Sequence, residues 1–213
     1  VELKKLLESQ GYSVIMQGAG YPENKIDPRH AAFVVISSTV TDSAQVSSYK
    51  NTTAPIINMS GSFQDDLGFV GNVILTGSTV SGSEAELYVE GDEIPEGKAI
   101  GDVKTSAVAA SINIVDASHP LAGGLTAGSQ EIATAEQVIN WGTPNGNANV
   151  IATIGDTDKA AIYAYEVGVG MGGGIDAAGR RVHLHTTTDG LATATTAGSS
   201  LISAAVNWVM EFD

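Results

Sequence analysis

The first residues of the chain place apolar side chains at the spacing of a helix. Leu3, Leu6 and Leu7 share one face of residues 2–10, and the lysine and glutamate side chains between them lie off that face. This pattern predicts an amphipathic helix that ends at the following glycine. Residues 12–16 (YSVIM) then predict a short strand.

Two unbroken apolar runs follow, each bounded by polar residues. Residues 31–37 (AAFVVIS) and 55–59 (PIINM) have the composition of strands that are buried on both faces of a sheet. A helical pattern covers residues 42–49 between them. Strand, helix and strand in this order are typical of a parallel α/β sheet.

The middle of the chain is richer in strand patterns. Residues 72–75, 84–90 and 109–115 predict strands, and the acidic stretch 90–96 predicts a solvated loop. We therefore expect a β-rich insertion between about Gly71 and Asn149.

The last third of the chain returns to a regular pattern. Residues 149–154 and 160–166 predict two strands that pair across a short turn. A flexible glycine-rich loop at 167–174 is followed by a strand at 180–185 and by a closing helix at about 196–212.

Together these elements predict an α/β fold in a single domain, residues 1–213, with a flavodoxin-like parallel sheet flanked by helices on both faces. A doubly wound fold normally has a central strand before its first helix, yet the first helix here begins at residue 2. We expect that strand to lie upstream of this sequence, or to be supplied by a later strand or by another molecule. The slot that it leaves would expose unpaired backbone groups.

Charge and composition exclude several classes of partner. Ten Lys and Arg against 24 Asp and Glu give a net charge of −14 over 213 residues, which repels nucleic acid and anionic lipid surfaces. No apolar run reaches the roughly 20 residues that a membrane helix needs, so we expect no membrane insertion. Because only 16% of the residues are charged, the surface must be rich in small polar side chains. That composition favours an extracellular or cell-surface bacterial protein.

Several segments share a pattern of apolar and turn residues with one known family. They are LESQGYSV at 7–14, FVVISS at 33–38, PIIN at 55–58, HPLAGGL at 119–125, AIYAYE at 161–166, GRRVHL at 179–184 and the helix at 201–208. These segments resemble glutamine-amidotransferase-like domains of the ThuA-like branch. The resemblance implies a flavodoxin-like fold and a module of a large bacterial surface or secreted protein.

The resemblance also implies where a catalytic site would lie. A class I glutamine amidotransferase needs a cysteine at a sharp strand-to-helix turn, but the corresponding turn here reads NMSGS at 58–62, and the chain has no cysteine. His185 aligns with the catalytic histidine of the family, while Thr186 and Thr187 replace the proline and glutamate that follow it. Glutaminase activity is therefore not expected.

Ser60 offers a second route to catalysis. It would act as nucleophile with His185 as base and with Glu166 or Asp189 orienting the imidazole, because triad members occur in any chain order. Against this, the G-x-S-x-G motif is absent. The alternative is that Ser60 is a turn residue or the N-cap of a short helix beginning near Phe63.

Two short motifs suggest a metal. His183 and His185 would share one face of a strand and chelate a transition metal, with a third ligand from His119, His30 or Asp189. The alternative is a strand whose histidines are partly buried.

Asp156 and Asp158 suggest Ca²⁺, although the glycine and distal glutamate of a twelve-residue calcium loop are missing, and a hairpin turn explains them equally. Trp141, in a loop beside glycine and proline, would stack on a sugar.

Taken together, these residues favour a non-catalytic module of a secreted or surface-exposed bacterial protein, with a structural, assembly or ligand-contact role. Its partner would be a protein, either a second copy or the rest of a larger multidomain chain, and no cofactor is required. The alternative is a hydrolase for carbohydrate or ester substrates that uses Ser60 and His185, or a metal at His183 and His185.

Overall fold

The computed structural model describes residues 2–18, 27–71, 73–76, 86–89, 100–101 and 106–211. This part of the chain contains three α-helices, α1 (Glu2–Ser9), α2 (Ser43–Ser47) and α3 (Thr196–Met210). Its strands are β1 (Val34–Ile36), β2 (Ile56–Asn58), β3 (Val73–Thr76), β4 (Glu86–Val89), β5 (Ile100–Gly101), β6 (Ser106–Ala109), β7 (Ser111–Ile114), β8 (Gly128–Glu131), β9 (Gln137–Asn140), β10 (Asn149–Thr153), β11 (Ala160–Tyr165) and β12 (Arg181–His183). None of its helices has the length and apolar character needed to cross a bilayer.

Seven strands form the main sheet, in the order β1-β2-β12-β11-β10-β7-β8. Neighbours among β1, β2 and β12 run parallel, whereas every other neighbouring pair runs antiparallel. The fold is therefore mixed α/β, and the predicted parallel pairing is confirmed only for β1, β2 and β12. The short connection between β10 and β11 allows an antiparallel pair only, since a parallel pair needs a longer crossover.

Most predicted elements form with shorter bounds. The helices expected at 2–10, 42–49 and 196–212 are α1, α2 and α3, and the paired strands expected after residue 149 are β10 and β11. The strand expected at 12–16 does not form, because these residues have no ladder partner in the described chain. The acidic loop predicted at 90–96 lies outside the described residues.

The β-rich middle of the chain is confirmed, but it is not a separate insertion. β3, β4 and β5 form a three-stranded antiparallel sheet, and β6 pairs with β9. In contrast, β7 and β8 join the main sheet beside β10. The strand expected at 109–115 is divided, since β6 ends at Ala109 and β7 begins at Ser111.

Each face of the main sheet carries its own apolar cluster. The first cluster takes side chains from α1 and α3, including Leu7, Leu201 and Trp208. The second takes Val46 from α2, together with Phe63, Leu67, Phe69 and others from the turns after β2. Helices therefore cover both faces, although only the short helix α2 covers the second. β1 is an edge strand, and no strand of the described chain occupies its open side.

Arg180 fastens the end of α3 to the sheet. Its guanidinium donates to the carbonyl oxygens of Trp208 and Glu211 at 2.6 and 2.7 Å, lies 4.9 Å from the Trp208 ring centroid and pairs with Glu166 at 3.0 Å. The last carbonyls of a helix lack partners within the helix and carry its negative dipole end. The cation therefore holds α3 in a defined position on the sheet.

Candidate functional site

Buried polar side chains collect at one edge of the main sheet. The carboxyl ends of the parallel strands β1, β2 and β12 meet there, which is the edge where open α/β sheets bind ligands. Among the residues whose burial the structure describes, eleven polar or charged ones are buried, and seven of them lie on this edge or contact it: Asn58, Ser60, Gln64, Asn140, His183, His185 and Thr186. We call these seven residues the edge cluster.

Asn58 organises the loop that follows β2. Its Oδ1 accepts the Ser60 backbone N–H at 3.0 Å, and its Nδ2 donates to the Ser60 carbonyl at 2.9 Å. The same Nδ2 lies 3.3 Å from Nδ1 of His183 on the neighbouring strand. Because the amide nitrogen can only donate, Nδ1 is the acceptor, and the neutral imidazole carries its proton on Nε2.

Both histidines of the edge cluster are neutral at ordinary pH. Burial and, to a lesser extent, the nearby His185 together lower the pKa of His183 to about 3. Burial alone lowers the pKa of His185 to about 4. The interior disfavours the charged imidazolium form, so each ring has one donor and one acceptor nitrogen.

Gln64, Asn140 and Tyr163 complete the hydrogen bonding of this edge. Gln64 Nε2 donates to the carbonyls of Gly61 and Trp141 at 3.1 and 2.8 Å, and its Oε1 accepts the Tyr163 hydroxyl. Asn140 Nδ2 donates to the Met59 carbonyl at 2.8 Å. The sequence alone does not single out these three residues, because buried amides and hydroxyls carry no spacing signal that separates them from surface ones.

Three nitrogens in or beside the edge cluster have no partner. In the described part of the chain, Nε2 of His183, Nδ1 of His185 and Nε1 of Trp141 are buried without a hydrogen bond. An unpaired buried polar atom costs about 1–3 kcal/mol. A ligand or water that forms hydrogen bonds with these nitrogens would therefore remove part of this free-energy cost.

Ser60 and His185 lie at the same edge but are not hydrogen-bonded. The register that pairs Asn58 with His183 would place Ser60 beside His185 if it continued for two residues. No hydrogen bond joins the Ser60 hydroxyl to either imidazole among the described residues. The expected turn role holds, since Ser60 lies in the turn closed by Asn58, but the helix expected near Phe63 is replaced by consecutive turns.

The carboxylates expected to orient His185 lie elsewhere. Glu166 follows β11, whose last residue pairs with the first residue of β12, and it binds Arg180 at the amino end of that strand. His185 lies beyond the opposite end of β12. Asp189 is exposed and precedes the 3₁₀ helix Gly190–Thr193, without a capping hydrogen bond from its side chain.

The two histidines predicted as a third metal ligand, His119 and His30, have other surroundings. His119 Nδ1 accepts the Leu121 N–H at 3.2 Å and caps the 3₁₀ helix Pro120–Ala122, while His30 is exposed on the 3₁₀ helix Pro28–His30. The described residues contain no group of three or more His, Cys, Asp or Glu side chains that could hold a metal ion.

Two further predicted ligands have ordinary surroundings. Asp156 accepts a hydrogen bond from Asn113 at 3.2 Å, and Asp158 is exposed in the bend between β10 and β11.

The Trp141 ring is only 8% exposed and has the Lys159 ammonium 5.1 Å from its centroid. It therefore does not form the exposed stacking platform that the sequence suggested, although its indole N–H remains unpaired.

A groove of about 520 Å³ lies apart from this edge. It runs between the 3₁₀ helix Pro120–Ala122 and the outer face of α3, and its lining is mostly small and polar, including Gly123, Ser200 and Asn207. None of the edge-cluster residues lines it.

Comparison with known proteins identifies no family. No protein-family model matches the chain, and no curated protein or solved structure matches it either. The resemblance to glutamine-amidotransferase-like domains therefore stays a prediction, and the function is argued from the geometry of the site.

Proposed function

We propose that this chain is a ligand-contact module of a secreted or surface-exposed bacterial protein, and that the edge cluster is its contact site. One observation carries the proposal: three buried nitrogens at this edge, on His183, His185 and Trp141, have no hydrogen-bond partner among the described residues. A ligand that supplies those partners would recover part of the cost of burying them.

The chemistry of the edge cluster favours a neutral ligand. Its side chains are amides, hydroxyls and imidazoles whose low pKa values keep them uncharged. The net charge of −14 disfavours anions in addition. A molecule with several hydroxyl or amide groups, such as a saccharide, matches this set of donors and acceptors.

The fold supports a more specific assignment within the same proposal. The structure has three parallel strands, with α1 and α3 on one face and α2 on the other. This arrangement corresponds to one half of a flavodoxin-like sheet. We propose that the chain is a glutamine-amidotransferase-like domain of the ThuA-like branch in which the turn at 58–62 lacks the nucleophilic cysteine.

Nuclear magnetic resonance tests the contact site directly. The chain has two tryptophans, so the indole N–H of Trp208 serves as an internal control for that of Trp141. Titration with glucose, N-acetylglucosamine and acetamide is expected to shift the resonances of the Trp141 indole N–H and of the two buried imidazoles. The resonance of the Trp208 indole N–H should not change. His185→Phe should abolish the response. If none of these probes moves Trp141, the proposal fails.

A second candidate is a serine hydrolase, favoured by the shared edge position of Ser60 and His185. Its weakness is that a base with a pKa of about 4 accepts a proton poorly near neutral pH. Hydrolysis of p-nitrophenyl acetate and labelling by a fluorophosphonate test it, with Ser60→Ala as the variant and Ser62→Ala as its control. Labelling that only Ser60→Ala removes would establish the hydrolase instead.

A further inference from the structure

The edge cluster is closed to solvent in this structure. His183 is fully buried, while His185 and Ser60 are only 1% and 3% exposed. The imidazole nitrogens that have no partner among the described residues are buried as well. A molecule of the size of a saccharide therefore reaches them only if part of the chain above them moves.

Two segments lie just beyond the carboxyl ends of β2 and β12. The first leads from Ile139 to Trp141, and it is fixed by the burial of Ile139 in the first apolar cluster and by the hydrogen bond from Asn140 to the Met59 carbonyl. The second is residues 186–189, with the sequence TTTD, which we call the cover segment. It has no apolar side chain to hold it in either cluster, so it is the segment that can move at the smaller cost in buried apolar surface.

The cover segment crosses the carboxyl end of β2. Because β2 lies between β1 and β12, these two strands are about 10 Å apart. Thr188, which follows β12, nevertheless has its hydroxyl oxygen 3.0 Å from that of Ser37 and 2.7 Å from that of Ser38, directly after β1. A chain that leaves β12 and contacts the end of β1 must pass the end of β2, where Ser60 lies.

Hydroxyl groups alone attach the cover segment to the end of β1. The Thr188 N–H also donates to Ser38 Oγ at 3.0 Å, and in the described part of the chain Thr188 forms hydrogen bonds with Ser37 and Ser38 only. On either side of Thr188 the attachment is to other elements, since Thr186 bridges Ile139 and the position of Gly190 leaves no room for a Cβ. Water offers equivalent hydrogen bonds to separated hydroxyl groups, so only a small free energy is needed to part them.

We propose that Ser37, Ser38 and Thr188 form a latch, and that the cover segment opens at this latch to admit a neutral, hydroxyl- or amide-bearing ligand to the edge cluster. The identity of the ligand rests on the proposed function. The opening itself does not, because it depends only on the contacts of the cover segment.

Thiol labelling tests the opening without any ligand. Since the chain has no cysteine, Ser60→Cys places a single thiol beneath the cover segment. N-ethylmaleimide should label it slowly, whereas Ser62→Cys, at an exposed position, should react at the full rate. Adding Thr188→Val, which removes the hydroxyl from the latch, should accelerate the labelling of Ser60→Cys at least about tenfold.

Two controls separate opening of the latch from other effects. Thr39→Val removes a hydroxyl of the same loop that contacts Ser37 but not Thr188, and it should change the rate by less than about twofold. Ala205→Cys, fully buried in α3, reports unfolding of the whole protein, and Thr188→Val should not accelerate its labelling. Circular dichroism establishes that each variant is folded.

A reversible disulfide tests whether the latch controls entry of the ligand. The side-chain oxygens of Ser38 and Thr188 are 2.7 Å apart, so the double variant Ser38→Cys, Thr188→Cys suits a disulfide. The oxidised form should lose the response of the Trp141 indole resonance to glucose, N-acetylglucosamine and acetamide. Reduction with dithiothreitol should restore the response.

The latch is overturned if Ser60→Cys reacts as fast as Ser62→Cys, or if Thr188→Val accelerates it no more than Thr39→Val does. An oxidised double variant that responds to the probes as the wild-type chain does would also overturn it. If the wild-type chain responds to no probe, the proposed contact function fails, and the labelling rates decide the latch by themselves.

Discussion

Asn58 and His183 face one another across the parallel strands β2 and β12, with the amide nitrogen 3.3 Å from Nδ1 of the imidazole. Both side chains are fully buried. The same amide holds the turn at Ser60 through two hydrogen bonds. One side chain therefore sets both the path of the loop after β2 and the tautomer of the histidine beside it.

Replacing Asn58 with alanine should lower the free energy of unfolding by about 2–3 kcal/mol, because it leaves buried groups of Ser60 and His183 without partners. Urea denaturation measures the change. Asn207→Ala, at an exposed position on α3, is the control and should have almost no effect. Equal stability of the two variants would show that the Asn58 contacts contribute little.

Stability should fall as the pH drops below neutral. The pKa values of His183 and His185 are lowered from 6.5 to about 3 and about 4 in the folded protein, so between these values the unfolded chain binds more protons. The two histidines stabilise the fold fully above about pH 6.5 and lose that contribution as the pH falls toward about 4, by up to about 1.4 kcal/mol per pH unit each.

The melting temperature as a function of pH measures this effect. The double variant His183→Gln, His185→Gln should flatten the profile, whatever its absolute stability. His30→Gln changes an exposed histidine and should leave the slope unaltered. A slope that survives the double substitution would assign the pH dependence to other groups.

Removing Arg180 should loosen α3. Arg180→Ala takes away two hydrogen bonds to the last carbonyls of the helix and the cation over Trp208, with an expected cost of about 2–4 kcal/mol. Arg180→Lys should retain only part of this stability, since an ammonium lacks the planar fork of donors of a guanidinium. Chemical denaturation provides the values. As a control, Lys5→Ala breaks an exposed ion pair with Glu2 and should cost less than about 1 kcal/mol.

Gly198→Ala should destabilise the protein even though alanine is the better helix former. A Cβ at this position in α3 would collide with the backbone carbonyl oxygen of Ile132. Because that oxygen belongs to the backbone, relief requires the helix to move, at a cost of about 1–3 kcal/mol. Ser199→Ala, the exposed neighbour, should be neutral or slightly stabilising. Thermal unfolding of the two variants compares them, and a stabilised Gly198→Ala would mean that the helix is less closely packed.

The edge cluster could be predicted only in part. His183, His185 and Ser60 stand out in the sequence, because few residue types carry out acid–base or nucleophilic chemistry. Gln64 and Asn140 do not stand out, since only the folded chain brings them against Trp141 and Met59. Glu166 suits His185 as a partner by residue type, but strand direction places it at the other end of β12.

Local pattern alone determined α1, α3 and the β10–β11 hairpin, because helical periodicity and turn residues act over a few neighbouring positions. Only the tertiary structure decided that four of the seven strands run antiparallel to their neighbours and that residues 12–16 have no strand partner among the described residues. An apolar run of the same composition is compatible with either direction, and a strand forms only where another backbone is available to pair with it.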